Sequence, residues 1–305
     1  MAAGHRTRRA ENRPSCDTCD RKASPVRYAN LNGRFSILTA SGAVDAHDAS
    51  GGRFGPDPLA VLDRWTDFLA WAERADLDGG QPVDEAKLGP PVPRPRQVFA
   101  VGLNYRSHTD EFDNPTPELP AVFTKFPGSI TGPDTVVDLP PGGNADWEVE
   151  LVVVIGVLAR NVAAADAWSH VAGLTIGQDI SERRRQMVGP IAQFSLGKSY
   201  EGFGPTGPYL VTPDEVDDPD DLALSCSLNG QEMQSGRTGQ LIFDVPFLIE
   251  HLSGILPLYP GDLIFTGTPA GVGAGRTPPV FIQPGDVLVS TIEGLGQIRQ
   301  EFRGA

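Results

Sequence analysis

The sequence predicts a mixed α+β fold with a dominant, mostly antiparallel β core. Three observations predict it. Hydrophobic residues make up 40% of the 305, and Val, Ile, Leu and Phe are spread along the chain, enough to bury a real core. Glycine (35) and proline (28) are both abundant with no collagen-like period, as in a chain that turns often between short strands. Only two segments repeat apolar residues at helical spacing, 59–77 and 243–255.

Taken in order, residues 1–25 are polar, charged and aperiodic, and read as a disordered tail. The stretch VRYANLNGRFSILTASGAVDA reads as two short strands joined by Asn32-Gly33, a strong hairpin signal. A helix is expected over 59–77, and LGPPVPRPR, with its four prolines, is an extended linker. A small N-terminal α/β domain with its linker thus spans 26–95, and a second, strand-rich domain spans 96–305. Strands are expected at 97–102, 121–126, 135–139, 147–158, 209–211, 222–228, 263–265 and 287–292. Residues 169–180 read as a helix end followed by a strand. Asn229-Gly230 marks another hairpin turn, and no tandem repeat is present.

Composition excludes several function classes. The net charge of −14 argues against nucleic acid and anionic membrane as partners. It leaves an anionic substrate open, because a bound divalent cation reverses the local field. Cys16 and Cys19 form a CxxC with no second CxxC or HxxxH, so they read as two thiols in a tail rather than a zinc site. With Cys226 the count is odd and sparse, which fits a reducing compartment. The longest apolar run, LVVVIGVLA, is too short to span a bilayer. The basic N-terminus (His5, Arg6, Arg8, Arg9) has no apolar run behind it. The expectation is a soluble cytoplasmic protein.

The sharpest chemical feature is Asp146-Trp147-Glu148-Val149-Glu150. On a strand, Glu148 and Glu150 share one face while Val149 and Leu151 turn to the other. Two like charges side by side persist if they are solvated on an exposed strand face, or if a cation sits between them. The apolar run that follows favours burial and a cation. Asp179 ends another apolar strand, AGLTIGQD, where it is either a turn or cap residue or a third ligand. Three carboxylates suit Mg²⁺ or Mn²⁺.

Tyr105-Arg106-Ser107-His108-Thr109-Asp110-Glu111 places His108 and Glu111 three apart, on one face if the segment is helical. A carboxylate on one imidazole nitrogen raises the basicity of the other, which is a way to activate water; a surface ion pair is the bland alternative. The prolines that follow suit a short helix on a mobile lid. Lys198, in a Gly-flanked setting, either faces solvent or neutralises an enolate or carboxylate. Arg183 and Gln186 follow Asp179 by four and seven residues, in reach of the same site on a helical turn. Gly261–Gly273 is a strand running into a Gly-rich turn that exposes backbone N–H groups to an anion; it lacks the GK[ST] ending of a nucleotide loop.

GLNYRSHTDE, DWEVELVVVIG, GQDISERRRQ, SLGKSYEGFGPTGP and GDLIFTGTPAGVG, in this order, resemble the fumarylacetoacetate hydrolase family over roughly residues 97–303. The wording of the last two is closer to bacterial acylpyruvate and diketo-sugar-acid hydrolases than to the animal fumarylacetoacetate enzyme. The resemblance implies a rolled mixed β-sandwich, usually dimeric. It implies that Glu148, Glu150 and Asp179 hold Mg²⁺, Mn²⁺ or Ca²⁺, and that His108 and Glu111 activate water. It also implies that Lys198 stabilises a leaving carbanion, and that Tyr105, Arg183, Gln186 and Thr268 contact substrate. The implied reaction is C–C hydrolysis of a small 2,4-dioxo acid. Oxaloacetate decarboxylation, keto–enol isomerisation and a non-catalytic metal scaffold are the alternatives. The family's extra aspartate ligand has no counterpart in these motifs, residues 26–95 match loosely, and Glu182 with Arg183-Arg184-Arg185 departs from a less charged stretch.

Overall fold

The computed structural model describes residues 27–112 and 115–304. The expected tail at 1–25, with Cys16 and Cys19, lies outside the described residues. Asn32 and Gly33 adopt φ of 55° and 79° and turn Arg27–Leu31 back onto Arg34–Thr39, as a two-residue hairpin requires. A third strand, Gly42–Asp45, continues this meander, where the sequence suggested two strands. It is four residues long with a single buried side chain, too short to show a period. The expected helix over 59–77 is two helices, Pro58–Leu62 and Trp65–Ala72. The break lets Trp65 and Phe68 both reach Tyr28 and Phe35, with ring centroids 5.1–6.4 Å apart. Contacts of that kind outweigh the helical propensity of the linking residues.

The hairpin is not a separate layer. Arg27 and Tyr28 pair with Val211 and Leu210, so the meander extends the main sheet. That sheet has eleven strands. Its path is Gly42–Asp45, Arg34–Thr39, Arg27–Leu31, Gly204–Val211, Val171–Gln178, Val149–Ile155, Leu263–Phe265, Val98–Gly102 and Ala121–Thr124, with Leu88–Gly89 and Ile130–Thr131 attached. A five-stranded sheet packs on it, in the order Gln231–Arg237, Ala223–Leu228, Val287–Ile292, Gly296–Gly304 and Asp134–Leu139. Asn229-Gly230 closes its first hairpin. Gln231–Arg237 and Gly296–Gly304 carry no strong apolar signal, and the sequence reading passed over both. Pairing is antiparallel throughout except at three junctions.

Val149–Ile155 decides where the site lies. All seven of its residues are buried, and their parity separates two cores. Val149, Leu151, Val153 and Ile155 face the interior between the two sheets, with Leu224, Leu288 and Phe302. Val152 and Val154 face the other way, onto Tyr28, Phe35, Phe54, Trp65 and Phe68. Glu148 and Glu150 share that second face.

Candidate metal centre and active site

Opposite Glu150 in the ladder is Gly177, and Val149 pairs with Gln178. One step further, the Asp179 N–H donates to the Glu148 carbonyl at 2.9 Å, so Asp179 sits across from Glu148. The carboxylates of Glu148, Glu150 and Asp179 therefore converge, with ligand oxygens all within 4.8 Å of one another. All three residues are buried. The bland reading of an exposed acidic strand face is thereby set aside. Two glutamines that the sequence reading did not single out hold the strand where it leaves the ladder. Gln178 accepts the Glu148 N–H at 2.8 Å, and Gln234 accepts the Val149 N–H at 3.0 Å.

Cations surround the triad. Lys198 Nζ lies 2.6 Å from both Glu148 and Asp179. Arg183 bridges Glu148 and Asp146, each at 2.7 Å. Lys125 donates to the other oxygen of Asp179 at 2.8 Å. Burial opposes the charge on Glu148, but Lys198 and Arg183 prevail and hold its carboxyl down at about 2. Glu150 goes the other way: burial, Asp179 and Glu148 together push it well above the usual carboxylate range. Burial likewise opposes the Lys198 charge, yet Asp179 and Glu148 hold it above its ordinary value. For Lys125 burial wins over Asp179, and its ammonium falls below the lysine range.

The donor set fits a hard divalent cation. It offers carboxylate oxygens alone, and one of them, on Glu150, resists ionising without added positive charge. With Glu150 holding its proton, Asp146, Glu148 and Asp179 balance Lys125, Lys198 and Arg183; once Glu150 ionises for a cation, four negative and three positive charges leave −1. A divalent cation would turn that into +1, suited to an anionic substrate.

The helix Arg106–Glu111 brings His108 near enough to Glu148 to help hold its carboxyl down. Glu111 Oε2 holds His108 Nδ1 at 2.9 Å, which leaves Nε2 to face a ligand. The expected i, i+3 pair is thus formed, and His108 is buried rather than part of a surface ion pair. Glu111 Oε1 accepts the Gly271 N–H at 3.0 Å. The Gly-rich turn does expose its N–H groups to anions, but to the protein's own carboxylates. Gly267 donates to Glu150 at 2.8 Å, Gly273 to Asp146 at 2.6 Å and Ala274 to Asp146 at 2.9 Å. A single turn therefore orients one member of the triad, one member of the His–Glu pair and the partner of Arg183.

The remaining expected residues fall into two groups. Tyr105 and Gln186 are buried, and the Tyr105 hydroxyl and Gln186 Nε2 have no hydrogen-bond partner among the described residues, so both keep a donor for a ligand. The Tyr105 phenol is raised by burial and by the Glu150 charge. Arg183 and Thr268 are already committed. Arg183 ties Asp146 to Glu148, and Thr268 donates to the Val149 carbonyl at 2.9 Å while accepting from Gln234 at 2.8 Å. Thr268 braces the ligand strand. Glu182, read as part of a departure, caps the Arg183–Gln186 helix by accepting the Arg184 and Arg185 N–H groups. No described helix is long and apolar enough to cross a membrane.

Comparison with known proteins agrees with this architecture. The human oxaloacetate tautomerase FAHD2A, mitochondrial, is 47% identical over 218 residues, 71% of this chain and 69% of that protein. The 2,4-didehydro-3-deoxy-L-rhamnonate hydrolase of Sphingomonas sp. (strain SKA58) is 44% identical over 236 residues, 76% and 82% of the two chains. Maleylpyruvate hydrolase from Sphingobium sp. SYK-6, crystallised with manganese(II) and pyruvate, superposes with a TM-score of 0.75 at 27% identity, over 92% of this chain and 99% of that one. The model of the fumarylacetoacetate (FAA) hydrolase C-terminal domain matches residues 97–303, the segment that carries every residue of the triad and of the His–Glu pair. The rolled two-sheet fold, the converging carboxylates and that match lead to one assignment: the chain belongs to the fumarylacetoacetate hydrolase family.

Proposed function

We propose that the chain hydrolyses a C–C bond in a small 2,4-dioxo acid, with Glu148, Glu150 and Asp179 holding Mg²⁺, Mn²⁺ or Ca²⁺. The observation that carries this reading is the His108–Glu111 pair lying against three converging buried carboxylates. A cation held there supplies Lewis-acid pull on the oxygens of a 2-oxo acid. The rest is the work of side chains. Glu111 fixes the Nδ1–H tautomer of His108, and Nε2 takes a proton from water. That water adds to the carbonyl distal to the carboxylate. The bond between this carbon and its neighbour breaks, and the electron pair stays on the 2-oxo acid half as an enolate. Lys198 faces that charge with the one ammonium proton not given to Glu148 or Asp179. In this reading the helix Arg106–Glu111 acts as a lid that would close over bound substrate and limit water. Protonation of the enolate carbon gives a pyruvate-like acid and a second acid.

A second reading is keto–enol tautomerisation of oxaloacetate, favoured by the 47% identity to the human tautomerase. It uses the same groups, with His108 moving a proton from the enol oxygen to the neighbouring carbon, an O–H bond exchanged for a C–H bond and no C–C bond broken. One pair of assays separates the two. Loss of acetylpyruvate absorbance with pyruvate release, stopped by a chelator, supports hydrolysis. Inert acetylpyruvate with fast decay of enol-oxaloacetate and no pyruvate would overturn it in favour of tautomerisation.

A further inference from the structure

We infer that Lys125 is a positioning residue that sets the geometry of the cation centre. The inference rests on the cation reading above. Lys125 lies one residue beyond the edge strand Ala121–Thr124, and its side chain is wholly buried. An ammonium has three protons. Lys125 gives them to Asp179 Oδ1 at 2.8 Å, to the Phe203 carbonyl at 3.1 Å and to the Lys198 carbonyl. None is left for a substrate. One side chain thus grips the triad's aspartate and the backbone of the lysine proposed to meet the enolate.

The flanking chain reinforces the grip. The Lys125 N–H donates to the Val98 carbonyl at 3.2 Å, and the next N–H, of Phe126, donates to Ser199 Oγ at 2.9 Å. Gly204 leaves room for the lysine: a Cβ there would fall 3.2 Å from Lys125 Cε. With Oδ1 of Asp179 held by Lys125 and Oδ2 by Lys198, the carboxylate plane is fixed.

A bland alternative is that Lys125 only neutralises Asp179, and the two ideas predict opposite signs. If Lys125 is a counter-charge, removing it takes positive charge from beside the ligands and tightens cation binding. If it is a positioning group, removing it weakens binding despite the lost repulsion. The experiment is Mn²⁺ titration calorimetry on the full chain, on Lys125→Met and on Lys125→Gln, each checked by thermal melting. We expect Lys125→Met to weaken Mn²⁺ binding by roughly 10–100-fold, the range for losing a group that orients a ligand. Lys125→Gln, whose amide keeps two donors without charge, should recover much of that loss. Equal or tighter binding in Lys125→Met overturns the inference, as does failure of both variants to fold, which would make Lys125 core support alone. Absence of Mn²⁺ binding in the unsubstituted chain would instead sink the cation reading and this inference with it.

Discussion

The strand Val149–Ile155 and its approach present the same face to two opposite environments. Glu148 and Glu150 look into a cluster of four carboxylates and three cationic side chains. Two residues further on, Val152 and Val154 look into Tyr28, Phe35, Trp65 and Phe68. The boundary between them is thin. A Cβ on Gly177, opposite Glu150, would come within 2.5 Å of Val152 and 2.6 Å of Phe265, and Lys125 Nζ lies 5.9 Å from the Phe265 ring centre. The aromatic end is held by non-directional burial that many side chains can supply. The charged end holds only while every charge keeps its partner, because desolvation costs each ion several kcal/mol. The difference teaches that stability and chemistry are supplied from two ends of one strand face, and that substitutions should separate them.

The largest separation is expected for His108→Ala. Turnover should fall by about 10²–10⁴-fold, the usual contribution of a positioned acid–base group, while Mn²⁺ affinity and the melting temperature hold. Calorimetry beside steady-state assay checks this, and surviving turnover would remove His108 as the base. The mirror experiment is Phe68→Ala, a wholly buried ring packed against Tyr28, Phe35, Phe54 and Trp65. Stability should drop by about 3–5 kcal/mol, with Mn²⁺ affinity unchanged, since distant sites act independently. Urea unfolding with and without Mn²⁺ measures both, and a loss of affinity would mean that the two ends are coupled.

Gly275→Ala tests the link from the Gly-rich turn to the covering helix. A Cβ there would lie 2.4 Å from the Glu111 carboxyl group, which accepts from both His108 and Gly271. The pair should be pushed out of register and turnover should fall by about a hundredfold, the cost of a misplacement near 1 Å. Mn²⁺ binding should persist, because Glu148, Glu150 and Asp179 are untouched. Full activity would show that the helix position does not depend on this contact.

How much of this was legible follows from where each signal sits. Glu148 and Glu150 share a strand face by parity, and the apolar run behind them announces burial. Asp179 closes a second apolar strand, and His108 and Glu111 have helical spacing. Each of those is a local pattern. Lys125 is 54 residues from Asp179 in sequence, and inside the strand expected at 121–126 nothing local marks it as a partner of that carboxylate. Asp146 opens the acidic motif and no local pattern announces its partners, yet it collects Arg183 and two amides of a turn 127 and 128 residues away. The strand Gly296–Gly304 was missed because its buried face is Ile298, Gln300 and Phe302, with a glutamine at the centre. What stayed hidden is long-range and polar, where pairing rather than periodicity decides burial.

The smallest effect expected is also opposite in sign. Glu150 is pushed above the usual carboxylate range by burial and by Asp179 and Glu148. An acid whose folded-state pKa is raised stabilises the fold while it is protonated, and that stability is lost as pH rises through the folded value. Glu150→Gln keeps the shape and an acceptor for the Gly267 N–H, and its amide can donate to the neighbouring carboxylates. Without added cation, the variant should therefore be more stable than the unsubstituted chain near neutral pH, on the order of 1–3 kcal/mol. The advantage should vanish in acid, below the ordinary glutamate range, where Glu150 keeps its proton in the unfolded chain as well as in the fold. Adding Mn²⁺ should reverse the order, because the unsubstituted chain gains binding energy that the variant lacks. Melting curves at two pH values, with Mn²⁺ and with chelator, read all four states. If Glu150→Gln destabilises the cation-free protein, the charged end is held by its internal ion pairs alone, and the contrast with the aromatic end is one of composition rather than of a site kept under strain for a cation.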